Sequence, residues 1–174
     1  MSLDGFIAGP KGEADWIVMD PDFDFETVYR EFDTMLIGRR TFEAMKATGA
    51  GASTPGMQVY VVSRTLRKKD HPRLTIVDNP GELVAELRSK PGKDVWLFGG
   101  GSLFRSLADL GLVDTVEVAV VPVLLGEGIP LLPAPGKRVT LKLTGHKLYA
   151  KTGTLSLEYA VQYGRGSKRR KGSG

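Results

Sequence analysis

The stretch Val95-Trp96-Leu97-Phe98-Gly99-Gly100-Gly101-Ser102 decides the fold class of this 174-residue chain. Its four consecutive apolar residues are typical of a buried strand. Leu103, Phe104 and Leu107 follow at the spacing of an apolar helix face. Glycines between a strand and a helix let the backbone approach a ligand closely, and the helix start directs free N–H groups at an anion. The stretch therefore predicts a strand–helix unit with an anion-binding turn at the carboxyl end of a parallel strand.

A tight turn that requires positive φ is the alternative explanation for Gly99-Gly100-Gly101. One glycine would meet that need, whereas three in a row favour the approach of a ligand. The order of residues differs from the G-x-G-x-x-G fingerprint, so the strand order need not be that of a Rossmann sheet.

Two more predicted strands end in residues suited to anions. Ile37-Gly38-Arg39-Arg40-Thr41 places two arginines at a helix start, where the dipole disfavours cations, so an anionic ligand would offset their charge. Val61-Val62-Ser63-Arg64-Thr65 places a guanidinium beside two hydroxyls, a combination that suits a phosphate monoester. A solvated surface explains either motif taken alone. Three anion-ready strand ends in one sheet predict a ligand with several phosphates, such as a dinucleotide.

Strand and helix patterns alternate over most of the chain, which predicts parallel strands joined by helical crossovers. Residues 141–149 and 154–163 follow as an antiparallel pair around a turn at 151–153. We therefore expect an α/β protein with three α/β/α layers, a mostly parallel central sheet and an antiparallel C-terminal edge. The predicted strands are 34–37, 58–63, 74–77, 95–98 and 115–121, and the predicted helices are 22–32, one from Gly38 to before Gly49, one from Pro80 to before Pro91, and 102–110.

Composition excludes several classes of site. The chain has no cysteine, which excludes a disulfide scaffold, a thiolate nucleophile and a Cys-ligated metal. Two histidines, His71 and His146, are too few for a His-rich metal centre. No apolar run approaches the roughly 20 residues of a membrane span, and no signal peptide precedes the first motif. We therefore expect a cytoplasmic protein with no metal site and no membrane partner.

The net charge of +4 comes from the end of the chain. Residues 164–174 read GRGSKRRKGSG and contain five bases and no acid. Without these five, 19 basic residues face 20 acids, so residues 1–163 carry a net charge of −1. Glycine, serine and like charges cannot form a core, which predicts one domain at 1–163 and a disordered basic tail at 164–174. A solvated terminus explains the tail, and an arm that binds nucleic acid is the alternative.

Five segments together resemble the dihydrofolate-reductase-like family, on the branch that contains the reductase domain of the riboflavin-biosynthesis deaminase/reductase. They occur in the family's order and at compatible spacing, and the resemblance covers about residues 1–163. It implies the dihydrofolate reductase fold, NADPH as hydride donor and, as in the riboflavin branch, a homodimer. The segments are MSLDGFIAG at 1–9, LIGRRTFE at 36–43, VVSR at 61–64, FGGGS at 98–102 and PVLLGEG at 122–128.

Carried over position by position, the resemblance implies which residues bind the cofactor. The glycine-rich turn would hold the pyrophosphate, and the turn at Gly38 would lie along the phosphates. Ser63 and Arg64 would meet the 2′-phosphate, and Ile7 and Ala8 would edge the nicotinamide. The predicted cofactor-binding residues are Ile7, Ala8, Gly38, Arg39, Arg40, Thr41, Ser63, Arg64, Gly99, Gly100, Gly101, Ser102 and Leu103.

On the substrate side, the resemblance indicates several acids. Asp22 precedes Gly38 by 16 residues, close to the spacing of the substrate carboxylate in folate-reducing relatives, and Asp20 and Asp24 compete for that role. A carboxylate facing a pteridine or pyrimidine ring would support protonation during hydride transfer. Turn capping and helix N-terminal positions explain the same acids structurally. The candidate catalytic residues are Asp4, Asp15 and Asp22, and the candidate substrate contacts are Trp16, Pro122 and Gly126.

Relatives carry a full apolar strand before the S-L-D-G segment, and only Met1 precedes it here, so we expect the first strand to be truncated. The leading function is an NADPH-dependent reductase of a nitrogen heterocycle, either a ribosylamino-pyrimidine phosphate of riboflavin biosynthesis or a dihydropterin. A nucleotide-binding module on the same fold without efficient turnover is the alternative. A nucleic-acid-binding protein is a third hypothesis that rests on the tail alone.

Overall fold

The computed structural model describes residues 1–47, 49, 54 and 56–164. The predicted tail from 165 onward and most of the predicted loop at 48–56 lie outside these residues. The helices are α1 (Phe25–Glu31), α2 (Arg39–Ala47), α3 (Pro80–Arg88) and α4 (Gly101–Asp109), with a short 3-10 helix at Lys68–Asp70. The strands are β1 (Phe6–Ala8), β2 (Phe32–Gly38), β3 (Gln58–Val62), β4 (Thr75–Val77), β5 (Asp94–Gly99), β6 (Thr115–Val120), β7 (Ile129–Pro130), β8 (Thr140–Tyr149) and β9 (Thr154–Gln162).

A four-stranded parallel sheet in the order β4-β3-β2-β5 lies at the centre of the fold. Met35, Leu36 and Ile37 of β2 are at most 3% exposed, because both faces of a parallel sheet are covered. Burial of each such side chain contributes roughly 1.5–3 kcal/mol. The register pairs Gly38 with Val62 and Ile37 with Gly99, so the carboxyl ends of β3, β2 and β5 lie side by side.

The two faces of this sheet carry separate hydrophobic clusters. Leu36 packs with Leu83 of α3 and Leu107 of α4 on one face. Ile37 packs with Phe42 of α2 on the other. Successive residues of a strand point to opposite faces, so neighbouring residues of β2 build both clusters. The predicted layers of helix, sheet and helix are therefore present.

The antiparallel part of the fold is a sheet of its own. β6, β9 and β8 pair in that order, and β1 pairs separately with β7. The α/β class and the antiparallel C-terminal strands are confirmed, but the two larger sheets are not continuous. The lining of a cleft of about 860 Å³ includes Val95 and Leu97 of β5 and Thr115 and Glu117 of β6. Beyond the end of β6, Ser2 forms a parallel bridge with Val121.

The predicted helix at 22–32 begins later in the structure. The Asp20 carboxylate accepts the Asp22 N–H at 2.9 Å and holds a turn, and Asp24 caps the helix by accepting the Thr27 N–H. α1 therefore starts at Phe25, and the chain enters β2 at Phe32 without a loop. Among the described residues, no helix has the length and apolar character that a membrane crossing requires.

Candidate functional site

The three predicted anion-binding turns lie together at the carboxyl edge of the parallel sheet. A Cβ built on Gly38 would lie 3.6 Å from the Gly100 nitrogen and 3.7 Å from the Gly99 oxygen, so two turns meet backbone to backbone. Arg39 Nη1 donates to Thr65 Oγ1 at 3.2 Å and joins the end of β2 to the end of β3. We call this surface the cradle and define it as residues 38–41, 63–65 and 99–102.

Backbone conformation or packing explains why two positions of the triple-glycine turn are glycine. Gly99 adopts a φ of +136°, which side chains rarely tolerate. A Cβ on Gly101 would lie 2.6 Å from the Pro130 oxygen and 2.7 Å from the Leu131 oxygen. The alternative explanation by backbone conformation thus holds for Gly99, and packing against β7 explains Gly101.

Neither of these two reasons, a positive φ or a clash with the backbone, applies to Gly100. Its φ of −90° suits any residue, and a Cβ there would meet only Thr41 Oγ1 at 3.2 Å and Ile7 Cδ1 at 4.0 Å. Gly100 also precedes α4, and in the described part of the chain the N–H groups of Gly101 and Ser102 have no acceptor. Free amides at a helix start are suited to a phosphate group.

Leu103 contributes to this turn through the core and the backbone. Its side chain is 6% exposed and packs in the cluster with Leu36 and Leu107, and its N–H donates to the Gly100 oxygen at 3.0 Å. Leu103 therefore fixes the turn, and its side chain is directed away from solvent.

Two arginines of the cradle are exposed and unpaired. Within the described residues, Arg40 and Arg64 have no hydrogen-bond or ion-pair partner, whereas Arg39 also lies 3.8 Å from Glu43. Ser63 is buried, and its Oγ accepts the N–H groups of Thr65 and Leu66 at 3.2 and 3.0 Å. The Ser63 hydroxyl therefore shapes the turn that carries Arg64.

β1 places its residues beside the cradle. Ile7 Cδ1 is the β1 atom that a Cβ on Gly100 would approach. Ala8 pairs with Ile129 of β7, and a Cβ on Gly128 would lie 2.3 Å from the Ala8 oxygen. Gly128 of the PVLLGEG segment is thus required for β1 to lie this close.

Asp4 connects the S-L-D-G turn to the PVLLGEG segment. Its carboxylate accepts the backbone N–H groups of Leu125 and Gly126, the latter at 2.8 Å. A hydrogen bond from Ser2, followed by the one from Gly126, lowers the pKa of Asp4 below its ordinary value. The Asp4 carboxylate therefore holds the loop that contains Gly126 against the S-L-D-G turn.

The three acids near α1 also have partners. Asp20 is 6% exposed and accepts the backbone N–H and the hydroxyl of Thr152, both at 3.0 Å. Asp22 pairs with Lys151 at 2.8 Å, and Asp24 caps α1. The contacts of Asp20 and Asp22 anchor the loop before α1 to the turn between β8 and β9.

The other predicted substrate residues lie in separate places. Asp15 is exposed and has no partner among the residues described. The Trp16 indole donates to the Glu13 oxygen at 3.2 Å. Pro122 lies in the loop after β6, where a Cβ on Gly153 would be 3.4 Å from its ring. The structure does not bring Asp4, Asp15 and Asp22 into one hydrogen-bonded group.

Sequence reasoning missed an aromatic row that leads to the cradle. We define it as Phe23, Phe25, Tyr29, Trp96 and Phe98, whose neighbouring ring centroids are 4.6, 6.0, 5.9 and 5.1 Å apart in that order. Phe98 directly precedes Gly99 and is 43% exposed. The spacings i, i+4 in α1 and i, i+2 in β5 were the available signals.

Comparisons with known proteins identify the family of the chain. The model of the family described as the RibD C-terminal domain matches residues 1–154. The uncharacterized protein YyaP of Bacillus subtilis strain 168 is 36% identical over 170 residues, which cover 91% of this chain and 90% of YyaP.

Two solved structures share the fold at low identity. The Thermotoga maritima protein described as a diaminohydroxyphosphoribosylaminopyrimidine deaminase and 5-amino-6-(5-phosphoribosylamino)uracil reductase is 16% identical, with a TM-score of 0.64 over 91% of this chain and 54% of that chain. Dihydrofolate reductase from Enterococcus faecalis, solved with NADP(H), is 18% identical, with a TM-score of 0.62 over 92% and 90% of the two chains. The dihydrofolate reductase-like fold is therefore confirmed, and the chain belongs to the RibD C-terminal domain family.

Proposed function

We propose that the cradle binds NADPH and that the protein transfers the hydride of this cofactor to a nitrogen heterocycle. The observation that carries the proposal is the pair of free amides of Gly101 and Ser102 at the start of α4, next to a glycine whose missing side chain leaves them accessible. The unpaired guanidinium groups of Arg40 and Arg64 are exposed on the same cradle. These groups suit a ligand with separated phosphates. When bound, the reduced nicotinamide supplies the hydride.

Arg64 would distinguish NADPH from NADH because a guanidinium binds a phosphate monoester through paired hydrogen bonds. Arg64→Ala should weaken NADPH binding by roughly 1.5–3 kcal/mol, about ten- to a hundredfold, with NADH binding nearly unchanged. Arg73→Ala is the matched control, since Arg73 is also exposed and precedes β4 at the opposite edge of the sheet. Titration of tryptophan fluorescence with both nucleotides measures the four affinities.

Equal losses for NADPH and NADH in Arg64→Ala would show that Arg64 does not contact a 2′-phosphate. Failure of the unmodified protein to bind either nucleotide would reject the proposed function.

Turnover separates a reductase from a nucleotide-binding module. A reductase oxidises NADPH, followed by absorbance, when pyrimidine or pterin substrates are added, whereas a binding module binds NADPH without oxidising it. The family resemblance also suggests a homodimer, and light scattering of the purified chain tests this.

A further inference from the structure

A pocket of about 390 Å³ lies between α4 and the antiparallel sheet, apart from the cradle. Phe104 and Ala108 of α4 line one side, and Val116 of β6 and Val161 of β9 line another. The described residues that line the pocket include none of the cradle. Small-molecule sites usually occupy about 300–1,000 Å³ and have mainly apolar walls with a few polar groups. The pocket has the size and character of such a site.

The loop between β7 and β8 forms a further wall, and a largely buried arginine of α4 holds it in place. The Arg105 side chain is 15% exposed. Its Nε donates to the Pro133 oxygen at 2.9 Å, and its Nη1 donates to the Lys137 oxygen at 3.1 Å. A Cβ on Gly136 would lie 2.2 Å from the guanidinium carbon, so the loop packs directly on this side chain. Specific contacts therefore fix this wall of the pocket.

Basic groups outnumber acids around the pocket. The charged residues that line it are Arg105, Lys137 and Arg138. Asp109 lies 3.6 Å from Arg105 Nη1, and its carboxylate accepts the Lys137 N–H at 3.1 Å, so this one acid faces three bases. Residues 128–157, which supply the loop and β8, contain no acid. The pocket therefore has an excess of positive charge that attracts an anion.

Arg138 is the base of this set that is left for a ligand. It is exposed, and within the described part of the chain it has no hydrogen-bond or ion-pair partner. Lys137 Nζ, in contrast, donates to the Asp109 main-chain oxygen at 3.3 Å. Asp114, just before β6, is paired with Arg88. A guanidinium that lines an apolar pocket and lacks a partner suits a carboxylate, because the two groups form paired hydrogen bonds.

The apolar walls retain surface that a ligand would cover. Phe104, Val116, Val139 and Val161 are half-buried although they pack against the main hydrophobic cluster, and Leu141 is 41% exposed. An apolar ligand would remove this surface from water, which favours its binding.

We propose that this pocket binds a small apolar molecule with one carboxylate, and that Arg138 binds the carboxylate. The apolar part of the molecule would lie against Phe104, Val161 and Leu141. The basic tail, which follows the lining residue Tyr163, is disfavoured as the occupant because its five bases would meet the same positive charge. The site is separate from the cradle, so the proposal does not depend on the proposed function.

Calorimetric titration with cinnamate and cinnamamide tests the proposal, because the two probes share one apolar body and differ by one negative charge. Each probe is titrated into the full chain with and without saturating NADPH. We expect cinnamate to bind at least tenfold more tightly than cinnamamide, with the same affinity in both conditions.

Arg138→Gln removes the charge that would bind the carboxylate. This variant should bind cinnamate roughly ten- to a hundredfold more weakly and cinnamamide as before. Lys142→Gln is the matched control, since Lys142 is also exposed but follows the lining residue Leu141 on β8 and points to the opposite face of the sheet. It should change neither affinity. Leu141→Ala should weaken the binding of both probes several-fold, because it removes part of the apolar wall.

Absence of cinnamate binding, equal affinity for the two probes, or equal losses in Arg138→Gln and Lys142→Gln would overturn the proposal. Unchanged binding of both probes in Leu141→Ala would show that the apolar body lies elsewhere, which also overturns it. Loss of cinnamate binding in the presence of NADPH would place the anion in the cradle and reject the pocket as its site.

Discussion

Substitution of Gly100 and Gly101 by alanine should separate a ligand-binding glycine from a packing glycine. In Gly100→Ala the φ of −90° accepts a side chain, and such a change usually stabilises by about 0.4–1 kcal/mol. The methyl group would lie 3.2 Å from Thr41 Oγ1, which offsets part of that gain. We therefore expect the free energy of unfolding to change by less than about 1 kcal/mol.

The same methyl group would occupy the space that a pyrophosphate needs. Loss of one or two charge-assisted hydrogen bonds to the amides of α4 costs roughly 1.5–3 kcal/mol. NADPH affinity of Gly100→Ala should therefore fall about ten- to a hundredfold.

Gly101→Ala should mainly reduce the stability of the fold. Its Cβ would lie 2.6 and 2.7 Å from two carbonyl oxygens of the backbone, and overpacking of this kind costs about 1–3 kcal/mol. At roughly 2–4 °C per kcal/mol for a chain of this size, the Tm should fall by about 2–12 °C.

Circular dichroism melting and NADPH titration of both variants measure these quantities. Normal NADPH affinity in Gly100→Ala would show that the cofactor does not lie against Gly100. A Tm loss in Gly100→Ala as large as that in Gly101→Ala would show that Gly100 is a packing residue.

Three further predictions concern stability. A five-residue apolar segment added before Met1 should pair with the edges of β5 and β6. The new hydrogen bonds and apolar burial, less the backbone entropy lost, should stabilise the fold by a few kcal/mol, or roughly 5–10 °C in Tm. A segment with alternating prolines is the control, and equal Tm values for the two extended chains would refute the pairing. Burial, followed by the charges of Glu158 and Glu31, raises the pKa of Glu117, so its ionised form is disfavoured in the folded state. Glu117→Gln should therefore raise the free energy of unfolding at pH 7 by a few tenths to about 1 kcal/mol, with no gain below pH ~4. Thermal melting at both pH values measures this, and an equal gain at both would contradict the prediction. Because the pKa of Asp4 is lowered in the folded protein, ionised Asp4 stabilises the fold at pH values above the usual Asp pKa, and this stabilisation is lost as the pH falls through the folded pKa. Asp4→Asn should therefore reduce the loss of stability at acidic pH. Urea titrations over a range of pH measure it, and a pH profile that does not change in the variant would contradict the role of Asp4.

The sequence by itself determined the features that depend on near neighbours. Apolar runs at 35–37 and 95–98 specify the strands β2 and β5, and helical spacing specifies α4, because the periodicity of side chains is local. The prediction that 95–98 is buried is wrong, since Val95, Trp96 and Leu97 are half-buried and Phe98 is 43% exposed. The order of strands and helices then indicated an α/β protein, and five segments indicated the family that the comparisons confirm. The assignment of cofactor and substrate residues stays a prediction.

Tertiary structure decided the features that depend on distant residues. Asp4 and Gly126 are 122 positions apart, and Asp20 and Thr152 are 132 apart, so no local pattern could show that these acids hold loops. The sequence cannot distinguish the three glycines at 99–101, because they are the same residue type. They differ only in φ and in how closely the backbone of β7 approaches them. The aromatic row likewise joins α1 to β5 through space, because the parallel sheet brings Trp96 beside a helix that ends 65 residues earlier in the chain.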